Sequence, residues 1–236
     1  MEIIFKTMEN SLSRISAKDI VYEQIKEKII NCLLEPGQAI VNGELGKELG
    51  ISRTPLREAL QRLEGEGLVV RNSNGTFSVA PISIKEVKEL FVIRSKLEAI
   101  LIGDAIDNLT EEHIEHLSYL TEMVKLTSKI ENYADTENFG GKFHSAIYSI
   151  SENTTVVNII FQLNDRINRY RHLAHEHGVD IETSSAEHEF ILNFMIKRDK
   201  VNAELAIENH IIGAMEVVVK AVEKYESANK LESKIK

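Results

Sequence analysis

Cysteine is nearly absent from this sequence, and so is any long apolar run. Cys32 is the only thiol, which excludes an internal disulfide and makes the reducing cytoplasm the expected compartment. No apolar run approaches the roughly 20 residues of a membrane-spanning helix. Met1–Asn10 has neither a long apolar core nor the small-residue cleavage site of a signal peptide. These absences argue against a membrane protein or a disulfide-stabilised one.

Proline is scarce as well, and its placement is informative. The sequence has Pro36, Pro55 and Pro81, so the stretch from Ile84 to Tyr225 has none. That stretch also lacks an alternating strand pattern, and its apolar residues recur at i, i+3 and i+4. We therefore predict a mainly α protein whose second part is an all-α bundle of six or seven helices. The segments are 84–106, 111–130, 133–151, 155–174, 184–198 and 200–226.

A candidate recognition helix begins at Arg53. Ser52 is a favourable N-cap residue, and Pro55 suits the first helical turn, where backbone N–H groups have no intrahelical partner. Helical spacing places Leu56, Leu60 and Leu63 on one apolar stripe. The helix is predicted to run from Arg53 to about Glu66. Its polar face lies well away from the leucine stripe, and we predict that the residues in contact with DNA are Ser52, Arg53, Thr54, Arg57 and Gln61.

A shorter amphipathic helix, Glu44–Leu49, precedes the candidate recognition helix, and Gly50–Ser52 supplies a tight turn between the two. This arrangement is typical of a helix-turn-helix motif. The second helix of such a motif fits the major groove, where an arginine can bind guanine in bidentate fashion. The alternative for the same residues is an ordinary helical hairpin with solvated arginines.

A two-stranded wing follows the recognition helix. Leu68–Arg71 and Thr76–Val79 are β-prone runs joined by Asn72–Gly75, and Asn-Gly favours a tight hairpin. The hairpin tip, Asn74 and Gly75, is a candidate for contact with the minor groove or the phosphates. The alternative is a hairpin that only covers the core.

The first part of the chain also contains a predicted N-terminal helix and ends at a predicted domain boundary. We predict a first helix from Asp19 to Leu33, with Ile20, Ile25, Ile29 and Leu33 among its apolar residues, and we interpret Met1–Ala17 as a mobile arm or a short extra helix. Gln38–Val41 is either a short strand or a lead-in to the second helix. Pro81–Ser83 is the predicted linker, so the expected domains are residues 1–82 and 83–236.

The net charge of −9 argues at first against nucleic acid, but the charge is unevenly distributed. Residues 1–82 carry −1 and residues 83–236 carry −8. Within the first part, we expect Arg53, Arg57, Arg62 and Arg71 to form a local basic face. A protein of this kind should hold non-specific DNA weakly and depend on a defined site.

Three histidines of the helical part fall on the apolar sides of different helices: His144, His188 and His210. Each buried imidazole needs a hydrogen-bond partner or a metal ion, so the three are either core histidines or metal ligands. A further group, His172, His175 and His177, lies in a polar segment that ends at Gly178, and we interpret it as a solvated helix end.

The run Ser52-Arg53-Thr54-Pro55-Leu56-Arg57-Glu58-Ala59-Leu60, followed by Leu63-Glu64-Gly65-Glu66-Gly67-Leu68-Val69, resembles the winged-helix domain of the GntR family of bacterial transcription regulators. The later residues look like the FadR-type (FCD) effector domain of that family, so the resemblance extends from about Asp19 to about Lys224. It implies an N-terminal winged helix-turn-helix and a C-terminal helical domain for effector binding and dimerisation.

The resemblance also bears on the histidines. Many FadR-type domains hold a divalent metal with an Asp one turn before a Phe-His pair, with that His, and with two later histidines. Phe143-His144, His188 and His210 match the histidines, but Gly140 stands at the Asp position. Two outcomes are open. Three imidazoles can bind Zn, Ni or Mn with open positions for water or an effector carboxylate, or the histidines line an organic-ligand pocket without metal.

Arg94 and Glu98 are similar to the Arg and Glu of the family's first effector-domain helix. Arg94 is either a fork for an effector carboxylate or the ion-pair partner of Glu98 at i, i+4. Asn153 and Asp199 match family positions as well, and we interpret both as capping or structural residues.

Together these features predict a ligand-responsive transcription regulator, expected to be a repressor, that binds a pseudo-palindromic operator as a homodimer. A small organic acid in the helical domain would change its operator affinity. One alternative makes the metal ion itself the signal. The other is a three-histidine metal-dependent enzyme, but no carboxylate stands at a spacing that marks a general base, and the sequence has no phosphate loop or nucleophile motif.

Overall fold

The computed structural model describes residues 17–176 and 185–232. Residues 1–16 of the predicted arm Met1–Ala17, and His177 of the second histidine group, lie outside the described residues. By internal contacts the chain separates into two compact units, Met1–Ile82 and Ser83–Lys236. None of the described helices combines the length and the apolar composition needed to cross a membrane.

The first unit is a winged helix-turn-helix. Its elements in chain order are α1 Ala17–Ile30, β1 Ala39–Ile40, α2 Asn42–Glu48, α3 Arg53–Gly65, β2 Val69–Arg71 and β3 Phe77–Val79. The three strands form an antiparallel sheet in the order β1-β3-β2, with Ile40 opposite Phe77 and Arg71 also opposite Phe77 on the other edge. The stretch that sequence left as strand or lead-in is therefore a strand.

The core of this unit lies between α1, α3 and the sheet. Ile25, Ile29 and the three leucines of the predicted stripe on α3 are fully buried there. The other two apolar residues named for the predicted first helix are exposed. Ile20 is 47% exposed because Val21 and Tyr22 face the core in its place, and Leu33 is 69% exposed because α1 ends three residues earlier.

All the regular elements of the second unit, among its described residues, are helices. It contains α4 Ile84–Asp107, α5 Glu111–Lys129, α6 Tyr133–Ile150, α7 Thr154–Glu176, α8 Ser185–Ile196 and α9 Lys200–Glu232. These agree with the predicted segments at most ends, and α9 continues six residues further than expected. Helix α9 packs along α4, and the core between the helices includes Leu101, Ile102, Phe143, Ile147 and Ile191.

Side-chain caps explain where several of these helices begin. The Ser83 hydroxyl accepts a hydrogen bond from the Glu86 N–H at 3.3 Å, which starts α4. The Asn153 side chain accepts from the Val156 N–H at 3.2 Å before α7, and Asp199 accepts from the Asn202 N–H at 3.2 Å before α9. Both residues cap helices, in agreement with the structural roles expected for them.

Candidate nucleic-acid interface and metal centre

Helix α3 presents a polar face to solvent. The helix begins at Arg53 as predicted, although the Ser52 hydroxyl makes no capping hydrogen bond. Its leucine stripe is buried, which turns the opposite side outward. The predicted contact residues on this side are all exposed: Ser52, Arg53, Thr54, Arg57 and Gln61. The last four line a shallow concavity of about 430 Å³ together with Glu58.

Two of the four arginines expected on the basic face are paired with acidic residues. The guanidinium of Arg62 pairs with Glu66 at 3.3 Å and lies 3.6 Å from the centre of the Tyr22 ring. Arg71 makes a bidentate pair with Glu64 at 3.1 and 3.0 Å. The expectation of a four-arginine face is thus wrong, because two of the four arginines pair with acidic residues. Arg53 and Arg57 form no ion pair with any described residue.

The wing is a hairpin between β2 and β3 with an exposed tip. The Gly75 N–H donates to the Asn72 carbonyl at 2.9 Å, and Gly75 has a φ of +80° that favours glycine. The Asn74 side chain accepts from the N–H and hydroxyl of Thr76 at 3.1 and 2.7 Å. The turn is therefore held by its own side chains. Both predicted contact residues, Asn74 and Gly75, remain exposed.

The second unit brings the three predicted histidines together. His144 lies on α6, His188 on α8 and His210 on α9, and all three are buried. One ligand nitrogen from each lies within 4.8 Å of the other two. The Nε2 atoms of His144 and His210 are 3.2 Å apart. Three helices that are distant in sequence thus converge on one histidine centre.

Two of the three histidine rings contact a carboxylate through Nδ1. Nδ1 of His144 lies 2.5 Å from Glu98, and Nδ1 of His210 lies 2.7 Å from Glu187. Such pairs fix the ring so that Nε2 is the free, coordinating nitrogen. Burial lowers the pKa of His144 to about 4 against the opposing effect of Glu98, so the ring is neutral near pH 7.

Glu98 is the centre of this buried polar network. It accepts hydrogen bonds from Arg94 Nε at 2.6 Å and from the Tyr148 hydroxyl at 2.7 Å, in addition to its contact with His144. Burial alone would raise the pKa of Glu98. The charge of Arg94 and the hydrogen bonds from His144 and Tyr148 outweigh burial and hold the pKa below its usual range, so the carboxyl is ionised.

The donor set fits a divalent transition metal. Metal–nitrogen bonds of roughly 2.0–2.1 Å in tetrahedral geometry place two nitrogens about 3.3 Å apart, close to the 3.2 Å found between His144 and His210. A Cβ atom on Gly140 would lie 3.5 Å from Nε2 of His188, in ordinary contact. Position 140 therefore faces the histidine centre, and the chain has no carboxylate there.

A cavity of about 560 Å³ opens beside the histidine centre. His144 and Tyr148 form part of its wall, and the predicted effector residue Arg94 lines it too. Arg94 also pairs with Glu98, which is the ion-pair alternative expected from the i, i+4 spacing: Nε bonds to Glu98, whereas Nη1 is buried without a hydrogen-bond partner among the described residues. The other lining residues are Ala134, Glu137, Asn138, Gly141, Lys142, Ser145, Phe161, Asn164, Asp165, Asn168 and Arg171.

Helix α7 connects this cavity with the start of the unit. Asn164 and Asn168 of this helix line the cavity. On the same helix, the Tyr170 hydroxyl donates to Glu86 at 2.5 Å and accepts from the Ser83 N–H at 3.2 Å. Arg166 pairs with Glu86 as well. The first turn of α4, together with Ser83 before it, is thus attached to a cavity-lining helix.

Sequence reasoning missed several residues of these sites. Tyr148, Glu187 and Arg171 carried no motif, and Glu98 was considered only as the partner of Arg94. The one available signal was the i, i+4 spacing of His144 and Tyr148, which places both on one side of α6. Their common partner lies on α4 and is brought to them only by packing.

Comparison with known proteins agrees with this architecture. The model of the bacterial regulatory proteins of the gntR family matches residues 17–79, and the FCD domain model matches residues 89–213. YdhC of Bacillus subtilis (strain 168), described as an uncharacterized HTH-type transcriptional regulator, is 33% identical over 193 residues, which cover 80% of this chain and 85% of YdhC. The HTH-type transcriptional repressor RspR of Escherichia coli (strain K12) is 24% identical over 81% of this chain and 84% of RspR.

The solved structure of Escherichia coli McbR/YncC superposes with a TM-score of 0.69 at 22% identity, covering 89% of this chain and 99% of that one, and thus shares the fold. The matched family and these named relatives are transcriptional regulators rather than enzymes. The chain accordingly belongs to the GntR family and, by its FCD domain, is a transcriptional regulator of the GntR/FCD type.

Proposed function

We propose that this chain is a ligand-responsive repressor that binds a pseudo-palindromic operator as a homodimer. Residues 1–82 are the DNA-binding domain, and residues 83–236 bind the effector and form the dimer. The observation that carries the proposal is the exposed face of α3, where Arg53 and Arg57 have no acidic partner among the described residues while buried leucines hold the helix in place.

The reading residues of this proposal are those on α3 and at the wing tip. Arginines near the N-terminal end of a recognition helix can reach guanine N7 and O6 in the major groove. Thr54 and Gln61 extend the same face, and Ser52 precedes it. Asn74 and Gly75 would contact the phosphates or the minor groove. The bidentate pairs of Arg71 with Glu64 make Arg71 a scaffold residue of the wing instead.

Replacement of one arginine tests this assignment. Arg57→Ala should weaken binding to the operator by about 1–3 kcal/mol, because it removes a contact that discriminates bases. The operator is first isolated by selection from random duplexes with the wild-type protein, and affinity is measured by fluorescence anisotropy at two salt concentrations. Arg62→Ala is the matched control, since Arg62 is an arginine of the same helix that pairs with Glu66. Equal affinities for Arg57→Ala and the wild type would refute the assigned reading face.

The homodimer follows from the size of the reading face. One recognition helix reads only a few base pairs, and two-fold symmetry doubles the contact on a palindromic site. Repression is proposed by analogy with the relative RspR, which is named a repressor. Sedimentation velocity of the full chain and a reporter placed behind the selected operator test the two statements separately.

The effector of the proposal is a small carboxylate in the cavity of the helical unit. Arg94 supports this, because the residue lines the cavity and its Nη1 is buried without a hydrogen-bond partner among the described residues. An anion that accepts from Nη1 would remove the cost of that unsatisfied donor. Effector binding would then change operator affinity by the coupling free energy between the two sites.

A divalent transition metal such as Zn, Ni or Mn is the proposed cofactor. His144, His188 and His210 would hold it through one nitrogen each, and Glu98 and Glu187 would orient two of the rings. When bound, the ion would supply positive charge and open coordination positions for an effector carboxylate or water. Neutral His144 needs no deprotonation before it can act as a ligand.

A second candidate function is a sensor in which the metal itself is the signal. The observation that favours it is the preformed, buried histidine centre. Titration of operator binding with metal alone, followed by organic acids, separates the two candidates. A response to metal that no acid changes supports the metal sensor, whereas a response that requires an acid supports the carboxylate-responsive regulator.

A route for the coupling is the contact of α7 with the start of α4. Residues on one side of α7 line the cavity, and Tyr170 and Arg166 on another side hold Glu86, one turn from the linker to the DNA-binding domain. A displacement of α7 by the effector would therefore be transmitted to Ser83 through its hydrogen bond with the Tyr170 hydroxyl.

A further inference from the structure

Glu58 lies on the outward face of α3, and the proposed function gives it no role. It is the acidic member of the described residues that line the concavity there, beside Arg53, Thr54, Arg57 and Gln61. The residue is exposed. With about 3.6 residues per helical turn, it lies within about 15° of the direction opposite the buried leucine stripe. The centre of the candidate reading face therefore carries a carboxylate.

The carboxylate of Glu58 is not engaged within the folded unit. Its side chain makes no hydrogen bond or ion pair with any described residue. The i, i+4 spacing would allow a pair with Arg62, but Arg62 pairs with Glu66 instead. Glu64, on the same helix, pairs with Arg71 at 3.0 Å. Glu58 thus differs from both neighbouring acids, because its oxygens remain open to an outside donor.

A free carboxylate at the centre of this face opposes DNA binding unless a base compensates for it. Phosphates repel a negative charge on every duplex, whatever its sequence. The major groove offers two amino groups that can donate to a carboxylate, cytosine N4 and adenine N6. Adenine also presents the N7 acceptor beside its amino group, and that acceptor repels a carboxylate, whereas cytosine presents its donor alone. The chemistry of the groove therefore favours cytosine.

We propose that Glu58 is a specificity-determining residue that accepts a hydrogen bond from cytosine N4 in the major groove. The inference rests on the proposed function of α3 as the reading helix, and it adds one base requirement to that function. The carboxylate lowers the affinity for most sequences and loses this disadvantage where a cytosine stands at the matching position of each half-site. Glu58 thus excludes wrong sequences, while Arg53 and Arg57 supply attraction.

Selection from random duplexes tests the base requirement, with the wild type, Glu58→Ala and Glu58→Gln compared in parallel. We expect one cytosine in each half-site of the wild-type operator whose preference over other bases, about 5- to 150-fold, falls to about twofold or less in Glu58→Ala. Glu58→Gln should shift the preference at that position toward adenine, because glutamine pairs with adenine N6 and N7. The preferences at the other positions should stay as in the wild type.

Glu23→Ala is the matched control. Glu23 is an exposed glutamate of α1 that makes no ion pair with any described residue and does not line the concavity. Its replacement changes the net charge by the same amount as Glu58→Ala. Both variants should bind DNA of unrelated sequence more tightly, because one repulsive charge is removed. Both should keep the wild-type melting temperature, since neither side chain is buried or paired.

A modified base tests the contact itself. N4-methylcytosine still pairs with guanine, but a methyl group replaces the amino hydrogen that faces the major groove. At the selected position it should weaken wild-type binding about 5- to 150-fold and change the binding of Glu58→Ala by about twofold or less. Fluorescence anisotropy with the full-length proteins measures both. Equal losses in the two proteins would show that Glu58 does not contact this amino group.

The selections also separate a failure of the inference from a failure of the proposed function. If Glu58→Ala keeps every base preference of the wild type, the inference is refuted and the operator stands. A uniform gain of affinity for all duplexes, equal to that of Glu23→Ala, would leave Glu58 with a general electrostatic effect and overturn the inference too. If the wild type enriches no sequence at all, the proposed reading face fails together with the inference.

Discussion

Gly140 is the residue whose identity matters most for the metal proposal. It lies on α6, one turn before His144, and a Cβ atom there would lie 3.5 Å from Nε2 of His188. The backbone has room for a side chain, so the missing carboxylate reflects the amino acid and not a blocked position. A single substitution can therefore supply the fourth protein ligand.

Gly140→Asp should raise the affinity for Zn, Ni or Mn at least tenfold, because a carboxylate joins three preformed imidazole ligands. The measurement is competition with a chromogenic chelator, together with elemental analysis of untagged protein purified without chelator. Gly140→Ala is the control, since it adds the Cβ atom without the ligand. If the Asp and Ala variants bind metal equally, position 140 does not reach the ion.

Glu98 organises three buried side chains from two helices, so its charge should matter for stability. Glu98→Gln leaves the buried guanidinium of Arg94 without its counter-charge, and we expect a loss of about 3–5 kcal/mol in the free energy of unfolding. Tyr148→Phe removes one hydrogen bond to the same carboxylate and should cost about 1 kcal/mol. Urea unfolding followed by circular dichroism measures both. Equal losses for the two variants would contradict the central position of the carboxylate.

At the scale of the element, α3 combines two tasks on opposite sides. Its stripe of Leu56, Leu60 and Leu63 is fully buried, and its outer face carries the candidate reading residues. Packing on the inner side therefore determines the orientation of the outer side. Loss of a leucine from this stripe should therefore destabilise the winged helix-turn-helix unit more than the helical unit.

Leu60→Ala should destabilise the winged-helix unit by about 2–5 kcal/mol, through lost burial and the cavity that remains. Hydrogen exchange of the full chain, resolved by peptide, should show faster exchange within residues 17–79 and unchanged exchange in α4–α9. Leu205→Ala on α9 is the matched control, because Leu205 is 54% exposed. Faster exchange across both units in Leu60→Ala would mean that the units unfold together.

For the whole molecule, the question is how a ligand in one unit changes the behaviour of the other. The Tyr170 hydroxyl joins α7 to Ser83 and Glu86, and α7 lines the cavity. The Tyr170 contact thus joins a cavity-lining helix to Ser83, the first residue of the second unit.

Tyr170→Phe should retain effector affinity and operator affinity but reduce the effect of one on the other, because it removes a single hydroxyl. The measurement is operator affinity with and without saturating effector, compared between the variant and the wild type. Tyr225→Phe on α9 serves as a control for the loss of a tyrosine hydroxyl elsewhere in the unit. An undiminished ratio of the two affinities in Tyr170→Phe would exclude this route.

Local sequence patterns were sufficient for most of the secondary structure. The start of α3 at Arg53, the wing strands and the helices of the second unit follow from apolar spacing, caps and turn residues, which act over a few positions. The predicted end of the first helix at Leu33 was wrong, because apolar spacing alone did not determine that the helix ends at Ile30 or that Ile20 and Leu33 would be exposed.

The candidate sites were predicted unevenly for the same reason. The exposed face of α3 belongs to one helix, so periodicity revealed it. The expected four-arginine face overlooked two ion pairs: Arg62 with Glu66, at i, i+4 spacing, and Arg71 with Glu64, which joins a wing strand to α3 only in the folded unit. The three histidines were singled out by their neighbours and by the family resemblance, but their mutual distances depend on the packing of α6, α8 and α9.

By itself, the sequence determined the helical class, the helix-turn-helix with its wing, and the positions that carry histidine or lack a carboxylate, because each is a property of one segment. Only the tertiary structure decided that Glu98 ties Arg94 to His144, that position 140 faces His188, and that Arg171 shares a cavity with Arg94. These relations join residues on different helices, and their distances arise from packing over the whole core, which no local pattern encodes.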